Sequence, residues 1–352
     1  MIRTERLAAH TDIATSLALL SDLELAALVE SGEPLGAGIG GRSTLIEVDG
    51  RRVFVKRVRL TDVELRPENV RSTANLLGLP PYFHYGIGSP GVGAWRELAV
   101  HTMTTNWVLA DRFAGFPLTH HWRVLPDEPQ PLPELLSDVE RAVAYWGGGP
   151  PVRERVEGLR TASASLALFL EYVPYTLNEW LSARLRTEEA DAACAFVERE
   201  LAAATGFLRE SGLLHFDAHF LNILTDGHRL YFADYGLALS DRFSLTPQER
   251  VFHERHRHYD RDYTAFHFVD WLASALYGYG KDAREAFVRE CADGARPRDI
   301  PRAAAGIIER YAPLAVVMGD FTERLLHESR LTPYPYEELR RAQEGAGTPA
   351  SR

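Results

Sequence analysis

LLHFDAHFLNIL, residues 213–224, sets two histidines, an aspartate and an asparagine into a run that is otherwise apolar. Polar side chains in a core segment cost free energy unless something pairs with them, so the stretch demands partners elsewhere in the chain. Twelve residues beyond Asn222 stands Asp234, in YFADYG. The intervening ILTDGHRLYFAD predicts a strand, a turn at Asp226-Gly227 and a second strand, which places Asn222 and Asp234 at one end of a hairpin. An amide oxygen and a carboxylate held close, with Asp217 nearby, make a donor set for a hard divalent cation such as Mg2+.

Far upstream, STLIEV and RRVFVKRV flank Asp49-Gly50, a strong two-residue hairpin signal, and predict antiparallel strands at about 42–48 and 51–58. Just before them lies LGAGIGGRS. Gly36, Gly38 and Gly41 satisfy GxGxxG, but that fingerprint follows a strand and opens a helix. Here a helix precedes it, begun by the Ser21 and Glu24 capping box and ending near Gly32, and a hairpin follows. Gly36–Ser43 is also one residue away from GxxxxGK[ST], with Arg42 in the lysine position, and again no helix follows to meet a phosphate. What remains is a glycine-rich turn between two strands, through Gly36, Gly38, Gly40 and Gly41, whose bare backbone lets N–H groups approach a triphosphate. A flexible turn is the alternative. Lys56 shares a strand face with Phe54 and Val58, which sends its ammonium inward, where it needs an anion; an edge lysine in water is the alternative.

The helix predicted from Ala94, AWRELAVHTMTTNWVLA, carries Glu97 in its first turns. A strand around PLTHHWRVL leads to a proline-rich, acidic stretch, 126–162, read as an insertion with a helical middle. SLALFLEYV, 165–173, is an apolar strand stopped at Pro174, and helices dominate beyond Thr176. The order is that of an α+β protein. Its expected parts are a helical extension (1–33), a strand-rich part (34–173), a helical part (174–344) and a tail (345–352).

Bulk properties narrow the function. With 352 residues, 45% of them hydrophobic and 25% charged, the chain is long enough for two lobes and ordinary for a globular protein. The formal net charge of −10 argues against a nucleic-acid partner. Cys194 and Cys291 stand in no paired motif, which points to a reducing compartment and two buried thiols. No apolar run reaches the roughly 18 residues of a membrane span, and charges occupy the place of a signal-peptide core, so no membrane partner and a cytoplasmic location are expected.

HFDAHFLN, 215–222, resembles the catalytic loop HxDxxxxN of the protein-kinase-like superfamily, and DYG, 234–236, resembles its metal-binding DFG. The glycine loop, Lys56 and Glu97 stand in the expected order, so the likeness spans roughly residues 34–240. His219 makes the loop HxDxHxxN, similar to the version in aminoglycoside phosphotransferases and related small-molecule kinases. The resemblance implies a bilobal fold, with a small antiparallel-sheet N-lobe and a mainly helical C-lobe, that uses ATP and Mg2+. Asp217 would accept or orient the proton of the attacking hydroxyl, and Asn222 and Asp234 would hold Mg2+ between the β- and γ-phosphates. Lys56 would hold the α- and β-phosphates while Glu97 fixes its position. Glu97 lies 41 positions after Lys56, farther than the family usually allows, and Glu64 and Glu68 are nearer competitors. His215 would brace the loop, and His219 would do likewise or face the phosphates. In LEYVP, Glu171 and Val173 resemble the hinge whose backbone receives adenine. After DYG there is no APE, although DYGLALS itself resembles the protein-kinase form. The acceptor implied is a hydroxyl on a small molecule rather than on a protein. His253, His256 and His258, in HERHRHY, read as a solvated, substrate-facing loop rather than a zinc site.

Overall fold

The computed structural model describes residues 3–346. The chain is mixed α+β and divides into two compact units. One takes in the chain up to Val173 together with Ala233–Arg250, and the other takes in Pro174–Phe232 and the chain from Val251 onward. The segment that carries Asp234 thus belongs to the unit that carries Lys56.

In the first unit, helices α1 (Arg3–Ala18) and α2 (Asp22–Glu30) precede strands β1 (Glu33–Gly38), β2 (Gly41–Val48) and β3 (Arg51–Leu60). Then come a short α3 (Asp62–Leu65), α4 (Ala94–Leu109) and β4 (Thr119–Pro126). The unit continues through α5 (Glu134–Ser137), α6 (Val139–Tyr145), α7 (Pro150–Thr161) and β5 (Ala164–Glu171). The strands form one antiparallel sheet in the order β1-β2-β3-β5-β4. Strand alternation explains its two faces. Val53 and Val55 join Ile46, Val48 and Phe169 against Ile13, Leu17, Leu25 and Val29 of α1 and α2. On the opposite face Val58 and Leu60 join Leu166, Leu168 and Leu170 against Ala94, Trp95 and Leu98 of α4. Lys56 is brought to this second face by the same alternation, and Glu97 reaches it from α4.

The capping box at Ser21 forms as expected, with Glu24 N–H donating to the Ser21 hydroxyl and Ser21 N–H to the Glu24 carboxylate. Helix α1 was not legible, because its buried positions, Arg6, Ile13 and Leu17, are too sparse for an apolar stripe. Helices α1 and α2 form one layer on the sheet, each fully buried Leu or Val contributing about 1.5–3 kcal/mol. The 126–162 segment is helical and shares a core with residues upstream: Val143, Trp146 and Val152 pack on Leu79 and Phe83. Pro150 and Pro151 open α7, where proline's missing N–H costs nothing.

The second unit holds β6 (Tyr175–Thr176), α8 (Leu177–Arg184), α9 (Ala190–Glu210), β7 (Leu213–Leu214), β8 (Ile223–Thr225) and β9 (Leu230–Phe232). After β10 (Leu239–Ser240) in the first unit comes α10 (Pro247–Arg255). It is followed by α11 (Tyr259–Tyr277), α12 (Lys281–Ala292), α13 (Arg302–His327) and α14 (Tyr336–Ala346). Helix α14 runs into the first positions of the expected tail, and the rest of that tail lies outside the described residues. β8 and β9 pair antiparallel with Ile223 opposite Phe232. The hairpin forms, but its turn is four residues, 226–229, rather than two. The Asp226 carboxylate accepts from the N–H of His228 and Arg229 and from the Tyr231 hydroxyl, which stabilises the longer loop. Cys194 and Cys291 are buried free thiols. No helix among the described residues is long and apolar enough to cross a membrane.

Candidate functional site

In the first unit, Lys56 is 7% exposed and Glu97 is 2% exposed. Lys56 Nζ donates to Glu97 Oε1 at 2.7 Å and to Asp234 Oδ1 at 2.8 Å. Burial works against the Lys56 charge, but Asp234 and Glu97 more than offset it and raise its pKa. Burial raises the Glu97 pKa, against the pull of Lys56. His101, one turn beyond Glu97, lies 4.0 Å from the same carboxylate. Burial and the Lys56 charge lower its pKa to about 3, so the ring is neutral and adds no competing cation. Of the candidates for Lys56's partner, Glu97 occupies the place. Glu64 instead caps α3 and the start of α4: its carboxylate accepts from Thr61 N–H at 2.9 Å and from Ala94 N–H at 2.7 Å.

Asp234 adopts a left-handed backbone (φ 61°), rare for a residue with a side chain, and its Oδ1 also accepts from Gly236 N–H at 3.2 Å. Such local strain is held only where surroundings over-determine it.

The four glycines of the loop differ in what they permit. Gly36 and Gly38 lie in β1, Gly41 opens β2, and Gly40 sits in the turn between. Gly41 has φ 127°, and a Cβ there would meet the Arg57 carbonyl oxygen at 2.1 Å, so the strand approach itself requires glycine. A Cβ on Gly40 would lie 3.2 Å from Lys56 Nζ and 3.6 Å from Asp234 Oδ2, so the turn covers the ammonium. A Cβ on Gly38 would meet open space, and Gly36, also without neighbours, has φ 144°.

Glu171 is engaged differently from the expectation of a hinge. Its carboxylate accepts from Arg6 Nε at 2.8 Å and from Leu118 N–H at 2.9 Å, while its own N–H donates to the Leu118 carbonyl. It ties α1 to the end of the sheet. Val173 is a buried apolar residue at the end of this unit.

In the second unit the chain leaves α9 through Gly212, left-handed at φ 67°, and enters the 213–224 segment. His215 is fully buried. The N–H groups of His215 and Phe216 donate to the two oxygens of Asp260, at 2.7 and 2.8 Å, and Phe216 holds a left-handed φ of 65°. The Phe216 ring packs on Phe252 and Tyr259. His215 Nδ1 accepts from Asp217 N–H at 3.3 Å, a bond within the 213–224 segment itself. Farther along, Phe220 N–H donates to His267 Nε2 and its carbonyl accepts from Asn178 N–H.

Asn222 Nδ2 donates to both the carbonyl and the Oδ2 of Asp217, each at 3.0 Å. The amide nitrogen being used this way, the Asn222 side-chain oxygen is its remaining donor atom to a cation. His219 Nδ1 accepts from Leu221 N–H, and its Nε2 stands 3.8 Å from Asp217 Oδ1. Burial pushes the Asp260 carboxyl up to about 6, against the pull of the two N–H groups.

The HERHRHY segment corrects the expectation of a solvated loop. His253 is in helix α10 and His256 just beyond it, and both are buried. His253 Nε2 lies 3.0 Å from the Gly212 carbonyl oxygen, and the His256 ring stacks on Phe252 and Tyr334. Packing under the 213–224 segment consumes both rings, and His258, half-buried, stacks on Tyr336. Among the described residues no group of three or more His, Cys, Asp or Glu is gathered to hold a metal.

Sequence reasoning missed Arg6 and Asp260, whose partners lie far along the chain, and also His101, and it named Glu64 only as a competitor for Lys56. Lys56 had an unused signal. Of the chain's 39 lysines and arginines only Lys56 and Lys281 are lysines, so a compact ammonium was kept at 56 amid Arg51, Arg52, Arg57 and Arg59. No protein-family model matches the chain, and no curated protein matches its sequence.

Proposed function

We propose that the chain is a bilobal, protein-kinase-like phosphotransferase that moves the γ-phosphoryl group of ATP, with Mg2+, to a hydroxyl group of a small molecule. The observation that carries the reading is the Lys56 ammonium gripped by Glu97 and Asp234, the latter 178 positions away in the DYG of the sequence. Few structural needs explain a buried lysine held by two carboxylates, one of them 39% exposed and strained, whereas phosphate binding needs such a cation.

In this reading Lys56 binds phosphate oxygens, and Glu97 holds the ammonium in place from beneath. Asp217 accepts or orients the proton of the attacking hydroxyl, and the Asn222 amide, bonded to Asp217 Oδ2, fixes the direction in which that carboxylate points. The donor atoms suit Mg2+: Asp234 has a second carboxylate oxygen, Oδ2, beyond the one used by Lys56, and Asn222 has its amide oxygen. When bound, the cation would neutralise charge on the phosphates.

The test is incubation of the protein with Mg2+ and γ-labelled ATP, alone and with hydroxylated antibiotics, sugars and generic protein substrates. Label on a small molecule, lost in Asp217→Asn, is the expected result. Label on protein would move the acceptor class to a serine/threonine kinase. Nucleotide binding without transfer would make the chain a scaffold, and AMP on the product would replace phosphoryl by nucleotidyl transfer.

A further inference from the structure

We propose that helix α7, in the 126–162 segment, sets the position of Glu97, with Arg155 as a positioning residue acting through Glu64. The proposal rests on the phosphotransferase reading for its effect on rate, but not for its geometry. Arg155 is 4% exposed and lies inside the first unit. Its NH1 donates to Glu64 Oε2 at 3.1 Å, its NH2 to the Pro90 carbonyl at 3.0 Å and its Nε to the Gly91 carbonyl at 3.2 Å. A planar fork with several donors suits this triple task, and a lysine could not reproduce it.

Glu64 passes the constraint on. Its Oε1 accepts from the N–H of Ala94, the first residue of α4, and its carbonyl accepts from Trp95 Nε1 at 2.8 Å. Helix N-termini leave N–H groups unsatisfied, and a carboxylate there is favourable, so Glu64 fixes where α4 begins. Gly93 keeps the approach open, since a Cβ on it would meet Glu64 Oε1 at 3.1 Å. Glu97 sits one turn further, so a shift of the helix start moves the carboxylate that holds Lys56. The chain of contact is therefore α7 to Glu64, Glu64 to α4, and α4 to Lys56.

A purely stabilising role for Arg155 makes different predictions. Lys56 and Lys281 are the only lysines, and the Lys281 side chain is 49% exposed, so the second serves as an internal reference for the first. An amine-reactive acetylating reagent, read by peptide mass spectrometry, should label Lys56 far more slowly than Lys281 in the parent protein. Arg155→Met should raise the Lys56 rate relative to Lys281 severalfold, Arg155→Lys less. In a Glu97→Gln background Arg155→Met should add little, because both changes loosen the same grip. Phosphoryl transfer should show the same pattern, with kcat/KM for ATP falling about tenfold or more in Arg155→Met, as a misplaced catalytic group requires.

Unchanged relative labelling in both Arg155 variants, or full additivity with Glu97→Gln, overturns the proposal, whatever the loss of Tm. Should Arg155→Met fail to fold, Arg155→Lys decides by the same ratio. If the parent protein transfers no phosphoryl group to any acceptor, the functional reading fails alone, and the labelling ratio still decides the positioning role.

Discussion

The two units hold their polar centres by opposite means. In the first, a buried ammonium stands between two carboxylates, and the grip is one of full charges at 2.7 and 2.8 Å. In the second, the Asp260 carboxylate holds the 213–224 segment by accepting from two backbone N–H groups, and Asp217 is steadied by a neutral amide. A charge grip is strong and fails when either sign is removed. A backbone grip fixes direction, and its loss loosens a segment rather than exposing an unpaired charge.

The largest expected effect breaks the first grip. Lys56→Met leaves Glu97 buried without its cation and should lower the unfolding free energy by about 3–5 kcal/mol, read from urea denaturation, and should abolish the nucleotide binding that the proposed function requires. An unshifted midpoint would show that charge does not hold this centre. Asp260→Asn comes next, since an amide can accept from one of the two N–H groups but turns its own NH2 toward the other. The expected cost is about 1–3 kcal/mol, with faster hydrogen exchange at His215 and Phe216 specifically.

Acid should separate the units more gently. His101 and His120 in the first unit are pushed down to about 3 by burial, so they stay neutral when folded but protonate near 6.5 once unfolded. Unfolding then takes up protons, and their contribution to stability is lost as the pH falls from 6.5 towards 3, partly opposed by Glu97, whose pKa is raised. In the second unit burial raises Asp260 and Asp270 to about 6, so these groups are protonated in the folded state while still ionised in the unfolded chain. Their contribution grows as the pH falls from 6 to 4, against that of His267, lowered to about 3. Exchange protection, corrected for intrinsic rates, should therefore fall first in the first unit; the reverse order would contradict the contrast. The smallest effect is that of Gly40→Ala. The new methyl meets the end of the Lys56 side chain at 3.2 Å and the Asp234 carboxylate at 3.6 Å, and no backbone atom, so stability should change by less than about 1 kcal/mol, measured by thermal denaturation.

What could be read in advance was local or periodic. The Ser21 box, the Asp49-Gly50 hairpin, β5 and its stop near Pro174, and the spacing of Asp217 and Asn222 all lie within windows where backbone geometry dictates side-chain placement. The ion pairs that organise the first unit do not. Arg6 and Glu171 are 165 positions apart and Glu64 and Arg155 are 91 apart, and no periodicity announces which arginine in an arginine-rich chain will be buried. HERHRHY misled for a related reason. Its polar composition suggested solvent, but a histidine carries an aromatic ring, and here His253 and His256 spend theirs on packing and two carbonyls.

The return of Ala233–Arg250 to the first unit has a consequence for synthesis. Residues 174–232 emerge from the ribosome before Asp234 does, so the first unit must wait, incomplete, while part of the second is made. A nascent chain whose residues up to 173 have left the ribosome can close the Arg6–Glu171 contact and the sheet, but until Asp234 also emerges Lys56 has Glu97 and lacks its second carboxylate. Such a chain is expected to acetylate at Lys56 faster than one whose residues up to 250 have emerged, and equal rates would mean that the grip matures before its last member emerges.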